Sequence, residues 1–265
     1  MTSAPRIVCL VPSITELLVD LGLAEFLVGR TGFCIHPAEI VKNVPKVGGT
    51  KDVNLAKIKK LGATHVIVNM DENALPVVNA LREFVPSVIV THPQTPRDNI
   101  ALIDQLLAEF AMNSEALCAM NVPANELKQQ INSGLGKLKS IAKHQERVLY
   151  LIWRDPWMTV ARDTYISRML DLIDWQTWPE VEGGETGAAR YPKLNGDEPW
   201  LADVQRVLLS SEPYRFDASH LQEVKAWMPQ AKVQLVDGEM LSWYGSRSRR
   251  GLAYLAELAS DSSPA

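Results

Sequence analysis

Cysteine is scarce in this chain of 265 residues, and Cys9, Cys34 and Cys118 stand far apart. They are odd in number and form no Cys-x-x-Cys, so neither a disulfide framework nor a zinc knuckle is suggested. No stretch approaches the roughly 20 apolar residues of a membrane span. An excess of basic charge is missing too. Lys and Arg total 27 against 31 Asp and Glu, with a net charge of −4 and a pI of about 5.8. No basic face therefore argues for nucleic acid or an anionic membrane surface. Up to Leu149 there is neither Trp nor Tyr.

The usual nucleotide and hydrolase signatures are also lacking. The turn after the first strand reads Pro12-Ser-Ile-Thr15, without the glycines that let a backbone approach a pyrophosphate. Gly48-Gly-Thr-Lys51 and Gly183-Gly-Glu-Thr-Gly187 miss the Walker spacing and read as turns. Gly-x-Ser-x-Gly does not occur, which leaves Ser13 without a nucleophile-elbow context. Near Met1 there is no basic stretch leading to an apolar run and a small-residue cleavage site, and no lipoprotein-type approach to Cys9. The expectation is a cytoplasmic protein if Met1 is the native start, and a periplasmic one if a leader was removed.

What is present is an ordinary globular composition, 46% apolar and 22% charged, arranged in strict alternation. Short apolar runs at Arg6–Pro12, Phe26–Arg30, Thr64–Asn69 and Ser87–Thr91 alternate with helical stretches at Ser13–Gly22, Asn54–Leu61, Asn73–Phe84 and Arg97–Phe110. Ser13-Ile-Thr-Glu16 has the form of a capping box. Such alternation predicts a parallel sheet covered by helices. A long helix follows from Ser114 to Lys143, interrupted at Pro123, with an apolar stripe of Leu127, Ile131, Leu135, Leu138 and Ile141. Alternation then restarts with strands at Arg147–Trp153, Arg206–Ser211 and Lys232–Val236, and helices at Thr164–Leu172, Asp217–Trp227 and Ser246–Ala259. The expected fold is α/β: two Rossmann-like parallel-sheet lobes, residues 1–112 and 146–265, joined by a backbone helix over 113–145.

All seven Trp and all six Tyr lie beyond Leu149. Tyr150, Trp175, Trp227 and Tyr254 read as core. Trp157, Tyr191, Tyr214, Trp243 and Tyr244 sit where strands end or loops begin, and ligands of parallel α/β sheets bind beyond the carboxyl ends of strands. These five rings are expected to supply apolar contact and stacking, with Trp153 and Glu212 beside them. Arg154, Arg190 and Arg247 are expected to bind acidic substituents. From the first lobe come Phe33, Cys34, His36, Lys51, Asn69, Glu72 and Asn73. Cys34 and His36 face the same way on an extended segment, but no third ligand converges on them by sequence, so no metal site is assigned. Asp71 and Glu72 are adjacent on a loop, which disfavours a general acid–base pair; no catalytic residue is assigned.

These residues resemble a known family. Arg6-Ile-Val-Cys-Leu-Val-Pro-Ser-Ile-Thr-Glu-Leu17, Val28-Gly-Arg-Thr31, Cys34-Ile-His-Pro37, Val47-Gly-Gly-Thr50, Asn54-Leu55 and Asn69 to Asn73 are similar to the first lobe of cobalamin- and siderophore-type ABC-transporter substrate-binding proteins, the helical-backbone metal receptors. Val207-Leu-Leu-Ser-Ser-Glu-Pro-Tyr214 and Leu241-Ser-Trp-Tyr-Gly245 resemble the second lobe. The resemblance implies a non-catalytic binding protein that holds cobalamin, haem or an iron–siderophore in an inter-lobe cleft, has no intrinsic cofactor, and delivers to an ABC permease. In cobalamin-type members a glutamate after the Asn-Leu pair docks on the permease; this chain has Ala56 there. The competing readings are a tetrapyrrole-handling enzyme such as a chelatase, and an intracellular sensor of the same ligand.

Overall fold

The computed structural model describes residues 4–141, 143–184 and 187–260. Their packing divides into two units. The first takes in the chain up to Pro93, Arg97–Ile131 and Tyr244–Arg247; the second takes in Gln94–Pro96, Asn132–Trp243 and the chain from Ser248 onward.

In the first unit β1 (Ile7–Cys9), β2 (Leu27–Arg30), β3 (His65–Asn69) and β4 (Ser87–Thr91) form one sheet in the order β2-β1-β3-β4, every pair parallel. The strands are short and apolar because both faces are covered. Val8, Val66 and Val68 lie in one core cluster with Ile58 and Leu81 from the helices. Each such side chain, fully buried, contributes about 1.5–3 kcal/mol.

Helix α1 (Pro12–Asp20) corrects the expected capping box. It begins one residue earlier, with Pro12 in its first turn and Val11 at the N-cap, and no side chain caps it. Proline's fixed φ suits that position and its missing N–H costs nothing there, so Ser13 and Glu16 both lie inside the helix and are free of capping duty. Short α2 (Ala38–Val41) follows β2, and α3 (Leu55–Lys60) is capped by the Asn54 side chain, which accepts from Lys57 N–H at 2.9 Å. α4 (Leu75–Arg82) and α5 (Asp98–Glu109) complete the alternation.

Helix α6 (Ser114–Ser140) runs through Pro123 without a break, about 40 Å at 1.5 Å per residue. Its residues up to Ile131 pack with the first unit and those from Asn132 with the second. Leu127, Ile131, Leu135 and Leu138 are buried, as their spacing predicts. The expected end at Lys143 is not reached, and Ala142 lies outside the described residues.

The second unit repeats the architecture. β5 (Glu146–Leu151), β6 (Trp175–Thr177), β7 (Arg206–Ser210) and β8 (Lys232–Val236) form a parallel sheet in the order β6-β5-β7-β8. Around it lie α7 (Tyr165–Asp171), α8 (Ala218–Trp227), short α9 (Gly238–Ser242) and α10 (Ser248–Ser260). Strand β6 has no counterpart in the sequence-based reading. It is three residues long, too short for periodicity to register. The Gly183–Gly187 turn is described only at its glycines, since Glu185 and Thr186 lie outside the described residues.

Candidate functional site

In the first unit the loops leaving the carboxyl ends of β2 and β3 carry the expected ligand residues. After β2, Gly32 N–H donates to the Gly48 carbonyl at 2.8 Å, which draws the Thr31–His36 loop against the Gly48–Lys51 turn. Gly48 has φ +112°, and a Cβ there would collide with the Asp52 carbonyl, so glycine is required. On this loop Phe33 is 61% and Ile35 51% exposed, His36 is half-buried and Lys51 is exposed. Cys34 is fully buried, its sulfur 3.1 Å from the Thr31 hydroxyl.

Beyond β3, Asn69 and Asn73 are buried and committed to the fold. Asn69 Nδ2 donates to the Thr91 carbonyl at 3.0 Å, and its Oδ1 accepts from Asp71 N–H at 2.8 Å. Asn73 Oδ1 accepts from Asn69 N–H at 2.9 Å while its Nδ2 donates to the Thr50 carbonyl at 3.0 Å. The two amides thus tie the β3 loop to the turn that carries Lys51, and Met70, 39% exposed, is the side chain they present to solvent.

Segment Tyr244–Arg247 packs into this same unit. Gly245, at φ +80°, lies against Leu17 of α1, where a Cβ would sit 3.1 Å from the Leu17 Cβ. Its N–H donates to Asn99 Oδ1 at 2.5 Å. Tyr244 hydroxyl donates to Glu72 Oε1 at 2.7 Å. Burial, and then the Glu72 carboxylate beside it, push the Tyr244 phenol well above its ordinary range. Arg247 grips Glu16 with two hydrogen bonds, Nε to Oε2 at 2.7 Å and Nη2 to Oε1 at 2.9 Å, and both residues are buried.

In the second unit the carboxyl ends of β5 and β7 carry the aromatic group. After β5 the chain doubles back, Ile152 N–H donating to the Met158 carbonyl and Met158 N–H to that of Trp153, at 3.0 and 3.1 Å. This turn leaves Trp153 40% exposed. Tyr214 meets it edge-on with ring centroids 5.7 Å apart, and Tyr214 N–H donates to the Ile152 carbonyl at 3.2 Å. The Tyr214 hydroxyl is 3.1 Å from His220 Nε2, whose helix α8 is capped by Asp217. Arg154 lies over the Trp157 ring at 5.7 Å and donates to Glu223 Oε1 from Nε and Nη2 at 3.2 and 2.8 Å. Glu212 accepts from Trp243 Nε1 at 2.8 Å and from the Ser242 hydroxyl at 2.5 Å. Tyr191 is half-buried, after the turn that carries Arg190.

Several expected roles are corrected by this geometry. Arg190 is buried, donating to the Gly184 carbonyl at 2.6 Å and the Asp163 carbonyl at 3.2 Å, and Arg247 is held by Glu16. Both guanidinium groups are thus engaged within the fold. Trp243 and Tyr244 are buried. Trp157 packs against a core cluster, between Phe216 at 6.0 Å and Trp227 at 5.4 Å. Sequence reasoning missed Ile35 and Met70 as exposed apolar groups; their placement just past β2 and β3 was the available signal. Among the described residues no group of three or more His, Cys, Asp or Glu is placed to hold a metal ion, and no helix is long and apolar enough to cross a membrane.

Two parallel four-stranded sheets with covering helices and a long central helix constitute the fold of class III substrate-binding proteins. No family model matches the chain. Among solved structures it is similar to the periplasmic vitamin B12 binding protein BtuF of Vibrio cholerae, with a TM-score of 0.77 and 17% identity over 97% of this chain and 96% of that one. It is similar also to the periplasmic heme-binding protein RhuT from Roseiflexus sp. RS-1, with a TM-score of 0.74 and 20% identity over 98% and 99%. Among curated sequences it is 24% identical over 259 residues to the ABC transporter substrate-binding lipoprotein YvrC of Bacillus subtilis (strain 168), covering 95% of this chain and 79% of that protein. These relatives are solute-binding proteins, which fits an absence of catalysis, and B12 and heme are the ligands named for the two solved structures. The cytoplasmic expectation is corrected here: relatives that are periplasmic or lipoproteins point to an extracytoplasmic place.

Proposed function

We propose that this protein is the extracytoplasmic, non-catalytic solute-binding component of an ABC importer, and that its ligand is a broad metal chelate of the cobalamin or haem kind. The observation that carries this reading is the position of four of the ten large apolar side chains exposed among the described residues. Phe33, Ile35 and Met70 in the first unit and Trp153 in the second all lie in loops just past the carboxyl ends of parallel strands. That is the edge at which this sheet class receives ligands, and leaving such half-exposed groups in water forgoes roughly 1 kcal/mol each. Within each unit, such side chains offer apolar contact to a wide conjugated ligand. His36 and Lys51 in the first unit, and Tyr191 and Tyr214 in the second, supply polar contacts nearby. Asn69, Glu72, Asn73, Trp157, Arg190, Glu212, Trp243, Tyr244 and Arg247 shape those loops from beneath. We read residues 1–112 and 146–265 as the two lobes and 113–145 as the segment that joins them.

The test is titration of the purified protein with cyanocobalamin, haemin and a ferric hydroxamate siderophore, followed by Trp fluorescence and the visible spectrum. One of the three should bind saturably with one equivalent and a Kd of about 1 μM or tighter, a free energy of roughly −8 kcal/mol. No response to any of them overturns the ligand assignment. The permease is the second arm: the liganded protein should stimulate ATP hydrolysis by its cognate transporter in vesicles, with docking that does not use a carboxylate at Ala56.

A further inference from the structure

The geometry points to Cys9 and Cys34 as a disulfide pair in the mature protein, a cross-link that ties the end of β1 to the loop bearing Phe33 and His36. The spacing of three isolated cysteines suggested no bridge, but the fold brings two of them together. Cys9 ends β1 and is in register with Arg30 at the end of β2. Four residues on, a turn closed by Cys34 N–H donating to the Thr31 carbonyl at 3.4 Å folds the chain back over that edge. The Cys34 sulfur then lies 3.8 Å from the Cys9 carbonyl oxygen. The Cys9 sulfur is 3.3 Å from the Val11 carbonyl. All three cysteines are free thiols in the structure, Cys9 and Cys34 fully buried and Cys118 exposed.

Both sulfurs are buried with only oxygen partners, Cys9 on the Val11 carbonyl and Cys34 on the Thr31 hydroxyl, and burial pushes both thiols upward from their ordinary pKa. Such thiols exchange slowly once the core has closed. The bridge must therefore form while α1 and the loop are still closing, in an oxidising compartment of the kind the relatives occupy. The step is thiol–disulfide exchange with a low-molecular-weight disulfide, R–S–S–R. One cysteine thiolate attacks it to give a mixed disulfide and release R–S⁻; the second cysteine thiolate then displaces the other R–S⁻. One S–S bond breaks and one forms. The two cysteine protons end on the two R–SH products, and the protein is oxidised by two electrons as the reagent is reduced. The closed loop encloses α1 and β2, so the bridge limits the unfolded chain and restrains the Thr31–His36 loop.

This inference stands apart from the identity of the ligand. The full chain is refolded in oxidised and reduced glutathione, then denatured without reductant, and its thiols are titrated. One reactive thiol is expected, on Cys118, rising to three after reduction, with a mass about 2 Da below that of the reduced chain and a peptide map joining the fragments of Cys9 and Cys34. Reduction should lower Tm by several degrees, as expected for a bridge closing a loop of this kind. Three thiols in the refolded protein, or a bridge that includes Cys118, overturns the assignment. Cys34→Ser should leave two reactive thiols under the same conditions; if that variant does not fold, the count and map on the unaltered chain decide alone.

Discussion

Trp153 is held out of the core by the turn that returns at Met158, with Tyr214 against its edge. Its replacement by alanine removes contact area without opening an interior cavity. Trp153→Ala is expected to weaken chelate binding about tenfold, or roughly 1.4 kcal/mol, while Tm moves by no more than about 2 °C; titration and a melting curve measure the two separately. The Glu16–Arg247 pair belongs to stability. Glu16→Gln leaves a guanidinium buried without its charge partner and should cost about 3–5 kcal/mol in a denaturant titration. The double variant Glu16→Met/Arg247→Met should recover much of that loss, because an apolar pair leaves no buried charge or polar group unpaired. Burial also holds His65 below its ordinary pKa of 6.5, against the opposing pull of Glu109. The unfolded chain then binds more protons than the folded one as pH falls below about 6.5, so the stability contributed by neutral His65 is complete above that pH and is lost toward the lower folded-state value. His65→Gln should flatten the decline in urea midpoint between about pH 7 and about pH 5.5. Arg190 and Arg247 show why single residues were the least legible level. A cation in a loop looks the same in sequence whether it faces a ligand or a buried carboxylate, and Glu16 is 231 positions from Arg247.

Helix α6 contains two glycines with opposite surroundings. A Cβ at Gly136 meets nothing within 4 Å, whereas one at Gly134 would come within 2.9 Å of Leu252 Cδ1 and 3.1 Å of its Cβ, on α10. Gly136→Ala should therefore stabilise by up to about 1 kcal/mol, the helix-propensity difference. Gly134→Ala should lose that gain to a displaced α10. A pair of thermal melts distinguishes them. Pro123, inside the same helix, forgoes one backbone hydrogen bond; Pro123→Ala should raise stability by about 1–3 kcal/mol. At this scale the sequence was readable wherever an element had length or a cap. Asn54, Thr164 and Asp217 all cap the helices they precede. It was unreadable where elements were brief, as with β6, or where two rules competed. Ser13-x-x-Glu16 has the letters of a capping box, but Pro12 claims the first turn.

The alternation of strands and helices carried the two parallel sheets and the long helix, because period and order are properties of the sequence itself. Which aromatic rings would be covered was not readable, since coverage depends on loops that meet only after folding. Trp157 and Trp243 occupy loop positions, yet Trp157 is half-buried against Phe216 and Trp227, and Trp243 is buried and bonded to Glu212. For the molecule as a whole, a ligand present at about 100 times its Kd should add about 2.7 kcal/mol to folding stability, visible as a Tm that climbs with chelate concentration.

The return of Tyr244–Arg247 to the first unit has a consequence for any attempt to dissect the protein. A fragment ending near Ile131 would retain the whole first sheet yet lack the cation that neutralises Glu16 and the phenol that caps Glu72. Such a truncated gene product should be insoluble or molten by itself, and should regain cooperative melting when a peptide spanning the missing tetrad is supplied in trans.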